Sequence, residues 1–194
     1  QVIMQALRET ERNNMYNEFV DKENELLVGT IQRVKEDGTV FVEIGKNQSE
    51  GILMPADQIP GEKYHAGDRI KVYVKKVKDG AKGAQIVLSR ASFGFVKRLF
   101  ESEVPEIRAG LVVIKGIVRE AGYRTKIAVA SCDDQIDAVG ACVGTKGVRV
   151  NAIVSELNGE KIDIIPWSDD ILDYIARALS PAKVLMVQAN EDTK

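Results

Sequence analysis

Between Leu26 and Arg90, apolar and polar residues alternate with a period of two in several short runs. Such alternation is the pattern of β-strands that bury one face. Five strands are predicted, at residues 26–35, 40–44, 50–54, 70–75 and 84–89. Five short strands with glycine and proline at their corners predict a small closed barrel of the OB type. A β-sandwich is the alternative, although five strands are few for that architecture.

The hydrophobic periodicity becomes helical after Ala91. Residues 92–103 carry apolar side chains at helical spacing, and Ser92 is placed to cap that helix. Pro105 and Gly110 are expected to end it. Two β-branched stretches follow at 111–119 and 124–131, and the residues between them predict a hairpin turn.

Two further helices and a strand are predicted after the hairpin. Asp133 and Asp134 can cap the first helix, which would carry Ile136, Val139 and Val143. The second helix ends at Asn158-Gly159, a typical left-handed stop, before a strand of isoleucines. The order from residue 91 onward is therefore α-β-β-α-α-β, and the whole chain is predicted to be an α+β multidomain protein.

Both ends of the sequence suggest neighbouring domains. Residues 1–25 read as a connector helix and an acidic linker from an upstream domain. Near the other end, Ser168-Asp169-Asp170 can cap a helix that Pro181 stops. Residues 182–188 are predicted to form a strand, and residues 181–194 to begin a further domain. The barrel is thus assigned to residues 26–90 and the second domain to 91–180.

Composition excludes several classes of protein. No run of about 18 apolar residues exists, so no membrane-spanning helix is predicted. Two cysteines and the single histidine, His65, cannot supply a disulfide framework or a four-ligand zinc site. One histidine also removes most imidazole catalysis. We therefore expect no enzyme activity, no metal, no cofactor and no membrane association.

The charge is distributed unevenly, although the net charge is only −2. Lysine and arginine outnumber aspartate and glutamate by 11 to 8 in residues 26–90, whereas residues 1–25 are acidic. A weakly basic module fits salt-sensitive phosphate binding. It fits an ordinary solvated surface equally well.

The motif that points to chemistry is Gly144-Thr145-Lys146-Gly147, placed between two predicted helices. Two glycines let the backbone turn sharply and approach a ligand without a Cβ atom between them. The following helix would present free N–H groups and the positive end of its dipole to a phosphate. The motif is not a nucleotide-binding P-loop, because that pattern is longer and follows a strand.

A GxxG loop inside an α-β-β-α-α-β order resembles the KH domain in its bacterial, type II topology. The resemblance implies a groove for about four single-stranded nucleotides, whose backbone the loop clamps. The RNA-binding residues that it implies lie on the loop, the flanking helices and the last strand: Val143, Gly144, Thr145, Lys146, Gly147, Val148, Arg149, Ile153, Lys161, Ile162, Asp163 and Ile164.

The barrel resembles the S-one type of OB domain, through segments such as 28–31, 38–44 and 50–53. The binding face of that domain usually carries two aromatic residues and a histidine. Phe41 matches one aromatic position, while Asp37 and Met54 stand at the other two. The side chains predicted on outward strand faces, for stacking or phosphate contact, are Phe41, Lys71, Tyr73 and Lys75. Packing of Phe41 and Tyr73 against a neighbouring domain is the alternative.

The order of connector helix, S-one barrel and type II KH domain resembles the NusA family of bacterial transcription factors. The resemblance extends over nearly the whole chain, through runs such as 59–62, 139–144, 159–165 and 178–182. It implies a cytoplasmic, monomeric protein that binds nascent single-stranded RNA and modulates pausing, termination and antitermination.

The same resemblance implies a missing N-terminal domain that binds RNA polymerase, a second KH domain, and contacts with other antitermination factors. An RNA-binding accessory region of an RNA-processing enzyme is the alternative. Polynucleotide phosphorylase carries both domain types, but it places KH before S-one. A spacer that only separates neighbouring domains is a third interpretation.

Overall fold

The computed structural model describes residues 2–45, 49–80 and 83–188. The chain separates into two compact units, residues 1–98 and 99–194. The elements of the first unit are α1 Val2–Val20, β1 Leu26–Val34, β2 Val40–Ile44, β3 Ser49–Leu53, β4 Arg69–Gly80 and β5 Gly83–Ser89. Helix α2, Phe93–Glu103, contributes residues to both units.

The five strands of the first unit form a closed barrel in the order β1-β2-β3-β5-β4. Strand β1 closes the barrel by pairing with β4, where Leu26 lies opposite Tyr73. All neighbours are antiparallel except β3 and β5, which run parallel with Gly51 opposite Ile86. The predicted OB-type barrel is therefore confirmed.

The barrel core follows from the alternation in the sequence. Inward side chains of all five strands and Phe19 of α1 form one buried cluster: Phe19, Ile31, Val40, Val42, Ile44, Leu53, Val72, Val74, Val77, Ile86 and Leu88. Gly51 leaves room for this packing, because a Cβ atom there would lie 2.5 Å from Leu88 Cδ1. The first unit thus buries the apolar half of each strand pattern.

The second unit contains a three-stranded sheet and four further helices. Its elements are α3 Pro105–Arg108, β6 Val112–Glu120, β7 Arg124–Ser131, α4 Ala138–Val143, α5 Val148–Glu156, β8 Lys161–Pro166 and α6 Ile171–Ala178. The sheet order is β6-β7-β8, antiparallel in the first pair and parallel in the second. From α2 onward, the predicted α-β-β-α-α-β order is present, with α3 as an additional short helix.

Two local predictions in this unit were wrong. Helix α4 begins at Ala138, where the Asp137 side chain accepts a hydrogen bond from the Val139 N–H, so Ile136 lies outside it. Asp133 instead closes a turn by accepting from the Gln135 N–H. Pro105 follows the end of α2 at Glu103, as predicted, and it also begins α3, because proline fits the first helical position.

The strand predicted at 182–188 is not formed, and residues 183–188 have no regular secondary structure. A strand needs a partner for its backbone hydrogen bonds, and none of the described residues pairs with this segment. Helix α6 before it is capped as predicted, by Asp170, which accepts from the Leu172 N–H at 2.9 Å. Lys126 of β7 donates to the carbonyls of Ala178 and Ser180 at the end of α6.

None of the helices in the described part of the chain is long and apolar enough to cross a membrane. Within the same residues, no group of three or more histidine, cysteine, aspartate or glutamate side chains is arranged to hold a metal ion.

Candidate nucleic-acid interface

The GTKG motif forms the tight connection between α4 and α5. Gly144 and Gly147 have φ angles of +74° and +77°, and Lys146 between them has a φ of +54°. The loop is closed by a 3.0 Å hydrogen bond from the Gly147 N–H to the Gly144 carbonyl. Glycine is required at both ends because L side chains rarely adopt such φ angles. The two glycines therefore permit the tight left-handed turn that the loop adopts.

Arg149 packs against this loop and supports it. Its Nη1 donates to the Ala141 carbonyl at 2.6 Å and to Glu106 Oε2 at 2.8 Å. A Cβ atom on Gly144 would lie 2.7 Å from Arg149 Cγ, so the arginine packs directly against the glycine. These contacts make Arg149 a support for the loop, and its contact with RNA stays a prediction.

The tip of the loop points three groups outward. Thr145 and Lys146 are exposed, and Val148, the first residue of α5, is 67% exposed. The Val148 N–H bonds to the Thr145 carbonyl, whereas the next N–H groups in the first turn of a helix lack intrahelical partners, and the helix dipole adds positive potential there. Lys146 adds a full positive charge at the same place. The loop thus presents a positively charged, sterically open site.

The neighbouring strand β8 provides backbone groups. It pairs only with β7 among the strands of the described chain, so its other edge is not hydrogen-bonded in the sheet. Lys161 on this strand is exposed, and Ile162, Asp163 and Ile164 are half-buried. Helices α4 and α5 both contact β8. The structure therefore brings the loop helices and the predicted strand into one unit.

Asp163 is occupied by an ion pair within the sheet. Arg124 Nε donates to Asp163 Oδ2 at 2.6 Å, and this hydrogen bond lowers the pKa of Asp163 below its ordinary value. A carboxylate held in its charged form repels phosphate. The Asp163 side chain is therefore a poor contact for the phosphate backbone of RNA. Its main-chain N–H and carbonyl groups are the groups that can contact a base.

Of the predicted apolar groove residues, one is excluded by its burial. Ile153 is 1% exposed and belongs to the core of the second unit, so the prediction that it touches RNA was wrong. Helical spacing places Ile153 on the same face of α5 as Arg149, one turn further along the helix. Val143 is half-buried and Val148 is exposed, so these two remain at the surface.

A buried carboxylate anchors the start of β8. Glu160 is fully buried and accepts hydrogen bonds from Arg119 Nη2 at 2.9 Å, the Gly122 N–H at 2.9 Å and the Thr125 hydroxyl. Burial alone would raise the pKa of Glu160, but the donors outweigh it and hold that pKa below the ordinary value of 4.5. This cluster joins the β6–β7 hairpin to the residue that precedes β8.

In the barrel, both predicted stacking residues are covered. Phe41 is 7% exposed, because Arg33 and Lys35 lie over its ring at 4.1 and 4.8 Å from the centroid. Tyr73 is 9% exposed; its hydroxyl donates to Asn24 Oδ1, and its ring packs against Gly94. Both rings are thus largely covered, and their stacking on bases stays a prediction. The alternation of apolar and polar residues predicted which way the two rings point. It did not predict that other side chains cover them.

The two lysines predicted on the barrel have different surroundings. Lys71 is half-buried, and its carbonyl accepts a hydrogen bond from the buried Arg90. Lys75 is exposed and forms a 2.8 Å ion pair with Asp57. The barrel residues belong to the first unit and the GTKG residues to the second.

Comparison with family models matches each half of the described fold. Residues 20–90 match the S1 RNA binding domain, and residues 90–167 match the NusA-like first KH domain. The barrel and the helix-flanked sheet thus define a chain of the class that joins an S1 domain to a KH domain.

The curated relatives extend this likeness over the full sequence. The transcription termination/antitermination protein NusA of Bacillus subtilis is 50% identical over all 194 residues, and those of Halalkalibacterium halodurans and Thermus thermophilus are 48% identical. The chain belongs to the NusA family. It spans about half the length of these relatives, covering 52% of the first and 50% of the other two.

Proposed function

We propose that this chain is a non-catalytic RNA-binding region of a transcription termination and antitermination factor. The observation that carries the proposal is the conformation of the GTKG loop. Lys146 in this loop has a left-handed backbone conformation and is exposed just before α5. Such a loop binds the backbone of a single strand by its N–H groups and its charge. The names of the relatives supply the transcriptional context.

The geometry supports separate surfaces for phosphate and for bases at the KH site. The loop and the first turn of α5 contact phosphate, which carries no sequence information. The open edge of β8 offers N–H and carbonyl groups to the Watson–Crick edges of unstacked bases, and Val143 and Val148 supply apolar surface. About four nucleotides fit such a groove. Affinity is therefore expected to depend on salt, and sequence preference on β8.

We further propose the partners implied by the family. RNA polymerase is contacted mainly through a domain outside this sequence, other antitermination factors join on the same RNA, and the protein acts as a monomer in the cytoplasm. The relatives that this chain matches are named for termination and antitermination. Their length leaves room for further domains, and residues 181–194 are proposed to begin a second KH domain.

The test of RNA binding uses Lys146, because substitution of Gly144 would disturb Arg149 and the fold. Asparagine and aspartate both tolerate the left-handed conformation, so Lys146→Asn and Lys146→Asp change charge with little change in backbone strain. Each phosphate contact to a single strand contributes about 0.7 to the magnitude of the slope of log affinity against log salt concentration. One contact therefore makes binding about fivefold tighter at 0.1 M salt than at 1 M salt.

We expect Lys146→Asn to weaken binding of a fluorescent oligouridylate about fivefold at 0.1 M salt and to lower the slope by about 0.7. Lys146→Asp should weaken it further. Lys115→Glu, an exposed charge reversal on β6, is the control. Fluorescence anisotropy over a salt series measures both quantities. Equal affinities for wild type and Lys146→Asp, with unchanged circular dichroism, would contradict the proposal.

A further inference from the structure

One side chain joins the ends of two helices beside the GTKG loop. The last four carbonyl groups of a helix have no intrahelical partner, and the Ala141 carbonyl is among these in α4. Arg149, the second residue of α5, donates to that carbonyl through Nη1 at 2.6 Å. The arginine therefore bridges the end of α4 and the start of α5, across the loop that contains Gly144 and Gly147.

The start of a helix is an unfavourable place for the charge of an arginine. The helix macrodipole puts positive potential at the N-terminus, so a cation in the first turn of α5 is repelled. Glu106 balances this charge, because its Oε2 accepts a hydrogen bond from the same Nη1 of Arg149 at 2.8 Å. Both side chains are half-buried, so salt screens their attraction less than it screens that of an exposed pair.

Glu106 is held in place by its own surroundings. It lies in the short helix α3, and its backbone carbonyl accepts a 2.9 Å hydrogen bond from the Leu111 N–H just before β6. Val104, the residue that precedes α3, is fully buried. The carboxylate thus reaches the loop helices from a fixed part of the second unit that lies 43 positions earlier in the sequence than Arg149.

The stem of Arg149 lies against the loop backbone. A Cβ atom on Gly144 would lie 2.7 Å from Arg149 Cγ and 3.0 Å from its Cδ. The direction of this stem is set by the two groups that hold the guanidinium at its end. Glycine has many alternative backbone conformations, so a loop that loses this packing spends less time in the conformation that binds.

We propose that Glu106 is a positioning residue for RNA binding. It holds Arg149 against Gly144, and it thereby keeps the GTKG loop in its binding conformation in the absence of RNA. The inference rests on the proposed function of this loop. Glu106 acts through Arg149 and not by touching RNA.

This role predicts an effect opposite in sign to that of simple electrostatics. A carboxylate close to a phosphate site repels RNA, so its removal strengthens binding if charge alone matters. A positioning carboxylate is required for binding in spite of its charge. Removing Glu106 should therefore weaken RNA binding.

The test compares Glu106→Ala with Glu120→Ala in the full 194-residue chain. Both substitutions remove one carboxylate from the second unit, and Glu120 is an exposed residue at the end of β6. Affinity for a fluorescent oligouridylate is measured by anisotropy over a salt series. Circular dichroism and the fluorescence of Trp167 check folding.

We expect Glu106→Ala to weaken binding about three- to tenfold at 0.1 M salt, because binding must then order a mobile loop. The slope of log affinity against log salt concentration should keep its wild-type value, since no phosphate contact is lost. Glu106→Gln should lie between the two, because its amide oxygen still accepts a hydrogen bond from Arg149. Glu120→Ala should not weaken binding.

A double-mutant cycle shows whether Glu106 acts through Arg149. Arg149→Met removes the charge and both hydrogen bonds but keeps an unbranched apolar stem. In that background, Glu106→Ala should change RNA affinity by less than about twofold. Hydrogen exchange without RNA gives an independent readout. The Gly147 N–H, which bonds to the Gly144 carbonyl, should exchange faster in Glu106→Ala than in the wild type.

Several results would overturn the proposal. Tighter binding by Glu106→Ala, with a slope steeper by about 0.7, would mean that the released Arg149 contacts a phosphate instead. Wild-type affinity in the folded variant, or an equal loss in Glu120→Ala, would remove the positioning role. An undiminished effect of Glu106→Ala in the Arg149→Met background would do the same. If Glu106→Ala does not fold, Glu106→Gln and its Gly147 exchange rate carry the same test.

These outcomes are separable from failure of the proposed function. Where Lys146→Asp still weakens binding, the loop binds RNA and only the role of Glu106 is lost. Failure of the wild-type chain to bind RNA at all would contradict the proposed function itself.

Discussion

Replacing Glu160 by glutamine should destabilise the second unit more than most single substitutions. The carboxylate and its partner Arg119 are 0% and 2% exposed, and the Gly122 N–H and Thr125 hydroxyl also donate to it. Removing one charge of a buried pair costs about 3–5 kcal/mol, because the other charge stays buried without compensation. With a urea dependence of about 1.5 kcal/mol/M, the midpoint should fall by about 2–3 M.

The assay can report on the second unit alone. Trp167 is the single tryptophan of the chain, and its ring lies 4.5 Å from that of Tyr174. Unfolding in urea followed by tryptophan fluorescence therefore follows the unit that contains Glu160. Glu160→Gln keeps the shape of the side chain, so a large effect reports charge and hydrogen bonding rather than a cavity.

The effect should also depend on pH. Because the donors hold the pKa of Glu160 below 4.5 in the folded protein, its ionised form contributes stability above that pH. This contribution is lost as the pH falls through the lower folded pKa. The stability difference between wild type and Glu160→Gln should therefore be constant near neutrality and should narrow in acid. A loss under about 1 kcal/mol, or a difference that grows in acid, would refute the reasoning.

Two further substitutions test other parts of the fold. Gly29→Ala should destabilise the barrel by about 1–3 kcal/mol, because its Cβ atom would lie 2.6 Å from the Glu43 carbonyl oxygen. Gly116→Ala, whose nearest neighbour is the Tyr174 hydroxyl at 3.6 Å, should be tolerated; thermal melts by circular dichroism compare the two. Asp170→Ala should cost about 1 kcal/mol by removing the cap of α6, whereas Asp170→Asn should retain most of it. Equal Trp167 unfolding curves for the two Asp170 variants would show that the cap contributes nothing.

The sequence predicted the elements whose signals are local. Strand alternation and turn residues are read from neighbouring positions, and five strands in residues 26–90 were found in this way. The GTKG loop was also predictable, since glycines at its two ends determine its φ angles. Local chemistry was sufficient because each of these features is stabilised by residues close in sequence.

Features that depend on distant partners were not predicted. Phe41 is covered by Arg33, which lies opposite it in the β1–β2 pair, and by Lys35, while buried Arg90 binds Glu62, 28 positions earlier. The bulge in β4 leaves both Lys75 and Lys76 exposed, which regular alternation along a strand does not predict. The one signal was the pair Lys75-Lys76, which interrupts the alternation of valines at 72, 74 and 77.

The parallel pairing of β3 with β5 has a consequence for synthesis of the chain. When synthesis has reached Leu53, only the β1-β2-β3 meander can form. The outer edges of β1 and β3 stay unpaired until β4 and β5 have been made. At about 5–20 residues per second, residues 54–89 take about 2–7 s to be made. For that interval the nascent barrel has two unpaired strand edges and an open apolar face. During synthesis this domain therefore passes through a partly folded intermediate. Its exposed apolar surface and unpaired strand edges are features that chaperones can recognise.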